Sequence, residues 1–99
     1  MSIELPMLIK KALVYGIKIY PYQLHTIMSL YETLKIPDDI LAKMNSDEVT
    51  KYVQALHLSG QEMAGDWTRG HKLLGELGFV KREREEGHRV FVTMVYEGD

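Results

Sequence analysis

Residues 73–96, LLGELGFVKREREEGHRVFVTMVY, restrict the fold of this chain more than any other stretch. Leu74 and Leu77 share a helical face with Met63 and Trp67, because residues three, four and seven apart stack on one side of a helix. Gly78 follows the last apolar position, where helices commonly end in a left-handed residue that glycine adopts without steric cost. Phe79 and Val80 open a strand that continues through Lys81, Arg82 and Arg84, and Glu85-Glu86-Gly87-His88 breaks it. Arg89–Tyr96 is β-branched and aromatic and reads as the returning strand. The expectation is an α+β chain that ends in a helix and a β-hairpin.

At these residues the sequence resembles the recognition helix and wing of winged helix-turn-helix regulators, most closely the MarR type. That family carries Leu-x-x-x-Gly-hydrophobic-Val, a basic strand, a turn and an arginine in the returning strand. The matching positions are Leu74, Gly78, Phe79, Val80, Arg82 and Arg89. The likeness covers about the last forty residues clearly and the earlier helices loosely. Gly87 stands where the family has an aspartate two residues before the wing arginine, so the ion pair that would orient Arg89 is missing. The chain stops at Asp99 without the family's long C-terminal dimerisation helices, which would make it a minimal version.

The preceding residues read as helices. Pro6 suits the first turn of a helix over 3–15, with Leu5, Leu8, Ile9, Ala12 and Leu13 as its apolar stripe and Gly16 as its end. Residues 16–20, GIKIY, alternate and suit a short strand that pairs with the hairpin. A second helix starts at Pro21 and buries Leu24, Ile27, Met28, Tyr31 and Leu34, through about Lys35. Asp38 and Asp39 fit the N-terminus of a short helix over 40–44, where the helix dipole favours acids. Asn45 with Glu48 reads as a capping box for a helix to about His57 that buries Val49, Tyr52, Val53 and Leu56. Ser59 with Glu62 reads as a second box, opening a helix from about Gly60 to Leu77. Gly65, Gly70 and Gly75 then lie inside that helix, each costing up to about 1 kcal/mol against alanine. Close helix packing is one reason for them, and close approach of DNA or a partner is another.

The chain has 99 residues, a length that suits one small domain spanning 1–99. It contains no cysteine, which excludes disulfides and thiol catalysis and fits a cytoplasmic protein. No apolar run reaches the length of a membrane span. His25, His57, His71 and His88 are scattered without metal-ligand spacing, the glycines do not form a phosphate loop, and the serines lack a nucleophile context. No enzyme, cofactor or metal is therefore expected.

Under the resemblance, the partner is double-stranded DNA and the protein is a homodimeric transcriptional regulator. Gln61, Thr68, Arg69 and Lys72 would look outward from the recognition helix, with Arg69 suited to guanine and Gln61 to adenine. Arg82, Arg84 and Arg89 would place the wing on the phosphate backbone or in the minor groove. The net charge of −2 runs against a broadly basic surface, so any DNA face must be a local patch. Glu62 and Asp66 also sit near that helix's first turns. Both points favour the competing expectation, an interaction module of the same fold that binds a protein of the transcription machinery.

Overall fold

The computed structural model of the protein describes residues 5–61 and 64–98. Five helices precede a C-terminal antiparallel hairpin: α1 (Met7–Val14), α2 (Pro21–Thr33), α3 (Asp38–Leu41), α4 (Ser46–Ser59), α5 (Ala64–Leu77), β1 (Phe79–Glu86) and β2 (Arg89–Tyr96). The α+β class, the five helices and the C-terminal hairpin agree with the sequence expectation, and the strand expected at 16–20 does not form.

The helix starts follow local chemistry. Asn45 Oδ1 accepts from the Glu48 N–H at 2.8 Å, and Glu48 Oε1 accepts from the Asn45 N–H at 3.0 Å, which closes the expected capping box. Pro21 is the first residue of α2, where no N–H is needed. Pro6 and Pro37 sit one residue before α1 and α3, and Asp38 and Asp39 form the first turn of α3. That helix begins two residues earlier than the sequence suggests, because it starts directly on the proline. Burial, followed by the nearby Asp38 carboxylate, raises the Tyr31 pKa.

The core gathers Leu8, Ile9 and Ala12 of α1, Ile27 and Tyr31 of α2, Val49, Tyr52, Val53, Ala55 and Leu56 of α4, Leu74 of α5, and Phe79 and Met94 of the hairpin. Tyr52 lies at its centre. Its ring is completely buried, meets the rings of Tyr31 and Phe79, and its hydroxyl donates to the Leu34 carbonyl at 2.5 Å.

Several expectations fail for physical reasons. Residues 17–20 form no strand, and the sheet contains β1 and β2 alone among the described residues. The Ile17 N–H is taken by the Ala12 carbonyl at 2.8 Å, and Ile17 and Ile19 pack on the helices instead. Leu13 is 64 % exposed, outside the stripe that α1 buries. Ser59 is the last residue of α4, not the cap of α5, and Gly60 follows with its N–H on the His57 carbonyl. The second capping box therefore does not start α5 at Gly60; its partner Glu62, like Met63, lies outside the described residues. Trp67 is 40 % exposed, and α5 buries Gly70 and Leu74 in its place.

Gly78 and Gly87 hold backbone conformations open to few other residues. Gly78 has φ +111° between α5 and β1. Gly87 has φ +65° at the first position of a two-residue turn with His88, the pattern of a type II′ hairpin. Glu85 and Glu86 accordingly belong to β1 and pair with Val90 and Arg89.

Candidate nucleic-acid interface

Helices α4 and α5 are antiparallel neighbours. At the turn end, a Cβ built on Gly70 would lie 2.6 Å from Ser59 Oγ and 3.0 Å from the Ala55 carbonyl oxygen. About two turns further along α4, Lys51 Nζ approaches Glu76 Oε2 at 3.9 Å. Close packing thus explains Gly70. It does not explain Gly65 and Gly75, where an added Cβ would meet nothing within 4 Å.

The exposed face of α5 carries Gly65, Thr68, Arg69, Lys72, Gly75 and Glu76, spaced so that they share one side of the helix. Arg69 is paired with Asp66 one turn earlier. Lys72 has no carboxylate within ion-pair distance among the described residues. Gln61 is not on this face: it lies before α5, and its Nε2 donates to the His57 carbonyl at 3.2 Å, finishing α4. An amide used in this way is a helix cap rather than a base reader.

The hairpin has one row toward the helices and one away. Phe79, Met94 and Tyr96 turn inward, with Phe79 and Tyr96 ring to ring at 5.4 Å. By the pairing register the outward row contains Val80, Arg82, Arg84 and Glu86 on β1 beside Val95, Thr93, Phe91 and Arg89 on β2. All three hairpin arginines therefore share one face. From Val80 to Phe91 every residue is exposed, so the distal part of the hairpin projects with both faces in solvent.

Carboxylates temper this cationic row. Arg82 is paired with Glu97, Arg84 reaches Glu86 at 3.3 Å and also lies 5.2 Å over the Phe91 ring, and Lys81 reaches Glu83 at 3.6 Å. Arg89 is the one hairpin arginine without an ion pair among the described residues. Arg69 and Lys72 form a separate set, because they border a groove walled by α4, α5 and the 17–23 connection.

That groove encloses about 790 Å³. Its floor is apolar, with Ile17, Val53, Leu58 and Leu73, and its rim carries Lys18, Arg69 and Lys72 against the single carboxylate of Glu76. His57 borders it, and its Nδ1 is buried with no hydrogen-bond partner among the described residues. Lys18 and His57 were not evident as site residues in the sequence. The alternation of Ile17 and Ile19 with Lys18 and Tyr20 shows which side chains turn outward, but not that α4 and α5 lie opposite them.

Toward the hairpin, α5 presents Trp67 and His71, ring centroids 4.0 Å apart. Burial, followed by the nearby Lys81 ammonium, lowers the His71 pKa below 6.5. The folded state therefore favours neutral imidazole. The associated stability is complete above pH 6.5 and declines as pH falls through that value. Trp67 is the only tryptophan, so its emission reports this ring directly. Its acid titration is expected to have a midpoint below 6.5, and His71→Gln should remove the transition; a midpoint at or above 6.5 would contradict the assignment.

Among the described residues no helix is long and apolar enough to cross a membrane, and no cluster of three or more His, Cys, Asp or Glu could hold a metal. Compared with models of protein families, with curated proteins and with solved structures, the chain matches none.

Proposed function

We propose that this is a winged-helix, MarR-like DNA-binding regulator in which α5 reads a major groove and the hairpin rests on the adjacent backbone. The observation that carries the reading is the projecting hairpin. Its arginines at 82, 84 and 89 share one face, directly after a helix whose outer face bears Thr68, Arg69 and Lys72 between two glycines. Side chains are absent at Gly65 and Gly75, which lets the helix backbone approach a duplex closely. Phosphate contacts from the hairpin position the protein, and Arg69 supplies base reading. Action on a two-fold site requires a homodimer, for which the exposed Leu13 and Val14 of α1 offer apolar surface.

Duplex binding measured against salt concentration tests this. The logarithm of affinity is expected to fall linearly with that of salt, at about 0.9 per phosphate neutralised. Arg89→Ala should weaken all duplexes and lower that slope by about 1. Arg69→Ala should cost about 1–3 kcal/mol on the preferred sequence and little on random duplex. Absence of binding to random and genomic duplex at low salt would sink the reading.

A second reading has its own support. The arginine row is largely neutralised by Glu86 and Glu97 and also exposes Val80, Phe91 and Val95. A mixed apolar and charge-balanced face suits a protein partner, and the same experiment without duplex binding would favour an interaction module of the transcription machinery.

A further inference from the structure

The groove between α4, α5 and the 17–23 connection shares Arg69 and Lys72 with the α5 face proposed for the duplex and adds Lys18, Tyr20, Gln54 and an apolar floor that duplex recognition leaves unused. Its rim has three cations on two walls, Lys18 from the connection and Arg69 and Lys72 from α5. The one facing carboxylate, Glu76, is 3.9 Å from Lys51, which stands outside the lining. A surplus of about two positive charges remains, the complement of a phosphate monoester, which carries about −1.5 to −2 near neutral pH. A simple carboxylate would balance only one of them.

The remaining lining suits a flat group with polar edges. The Tyr20 ring lies under the Lys18 ammonium at 5.3 Å and stacks on Tyr22 at 5.9 Å, which holds an aromatic wall in place. Tyr22 in turn meets the His57 ring edge-on at 6.3 Å. The exposed Gln54 side chain supplies hydrogen-bonding capacity above an apolar floor. The enclosed volume of about 790 Å³ falls within the usual range of small-molecule sites.

We propose that this groove binds a free nucleoside monophosphate. Lys18, Arg69 and Lys72 hold the phosphate, and the base lies against Tyr20 with its edge toward Gln54. Arg69 keeps its Asp66 partner while doing so, because a guanidinium has five donors. This inference does not depend on duplex recognition and is tested on the protein alone.

The experiment is titration of the full chain with AMP, GMP, CMP and UMP, followed by calorimetry and amide chemical shifts, with inorganic phosphate and the parent nucleosides as controls. At least one nucleotide should bind ten or more times tighter than phosphate and than its nucleoside, with shifts centred on Lys18, His57 and Lys72. Lys18→Ala and Lys72→Ala should each weaken binding several-fold and leave the urea midpoint unchanged, since both side chains are exposed. Tyr20→Ala should weaken the nucleotide and not phosphate. Equal affinity for nucleotide and phosphate would reduce the groove to a cationic patch and overturn the proposal. So would absence of binding by all four nucleotides at millimolar concentration, or tighter binding of benzoate than of any of them.

Discussion

Alanine at position 52 is expected to destabilise the protein by about 3–5 kcal/mol, much of the whole stability of a domain this size. Tyr52 is fully buried and bridges α2, α4 and β1 through Tyr31 and Phe79, so its loss opens a cavity at the junction of three elements. Tyr52→Phe separates packing from polarity. It keeps the ring and removes the donor to the Leu34 carbonyl, which should cost about 1–2 kcal/mol through an unsatisfied buried acceptor. Urea unfolding followed by circular dichroism measures both. A loss below about 1 kcal/mol for the alanine variant would mean that the ring is not central to the core. Burial also raises the phenol pKa well above 10, so the folded state holds this proton more tightly than the unfolded state does. Stability from this group is complete below pH 10 and falls as pH rises beyond it, a contribution that Tyr52→Phe removes.

Gly70 and Gly75 should respond to substitution in opposite directions although both lie inside α5. A side chain at 70 would meet Ser59 N at 2.7 Å and Ser59 Oγ at 2.6 Å, and backbone cannot move aside as a flexible side chain can. Gly70→Val is therefore expected to lose about 2–3 kcal/mol as α4 and α5 are forced apart. At Gly75 there is open space, and Gly75→Ala should gain up to about 1 kcal/mol from helix propensity. If both substitutions stabilise, the helices are not in backbone contact at Gly70. The second variant also bears on function. A methyl at 75 that stabilises the fold and weakens duplex binding would place that face of α5 against DNA.

The hairpin was legible in the sequence because its signals are local. Gly78, Gly87 and the β-branched run after Arg89 each specify a conformation without reference to distant residues, and the strand limits of β2 follow from them. The capping box at Asn45 was legible for the same reason. What failed depends on tertiary contact. Residues 16–20 have the alternation of a strand, but Ala12 takes the Ile17 N–H and no strand edge is offered to them. Trp67 follows the apolar spacing of α5 and shares a face with Leu74, yet Gly70 already packs on Ser59, the last residue of α4, so Trp67, nearly one turn earlier, lies past the end of α4 and remains half in solvent. For the candidate site, the exposure of Arg69, Lys72 and the hairpin arginines was readable from residue type and position. Their division into two sets was not, because strand parity and the groove wall come from the pairing register and from α4.

Side chains at the C-terminal end of α1 hold the backbone that leaves α3. Lys11 Nζ donates to the carbonyls of Ala42 and Met44 at 2.9 and 2.8 Å, and the Tyr15 hydroxyl donates to Met44 at 3.0 Å. The carbonyls of Asp38, Ile40 and Leu41 are taken by the N–H groups of Ala42, Lys43 and Met44, so α3 closes on its own backbone and α1 secures the turn that leaves it. The path from α3 toward α4 is thus fixed by a segment some thirty positions upstream, and any shortened version that starts after Gly16 would lose that anchor along with α1. Acetylation of a single amine, at Lys11, would loosen the same joint without altering the sequence.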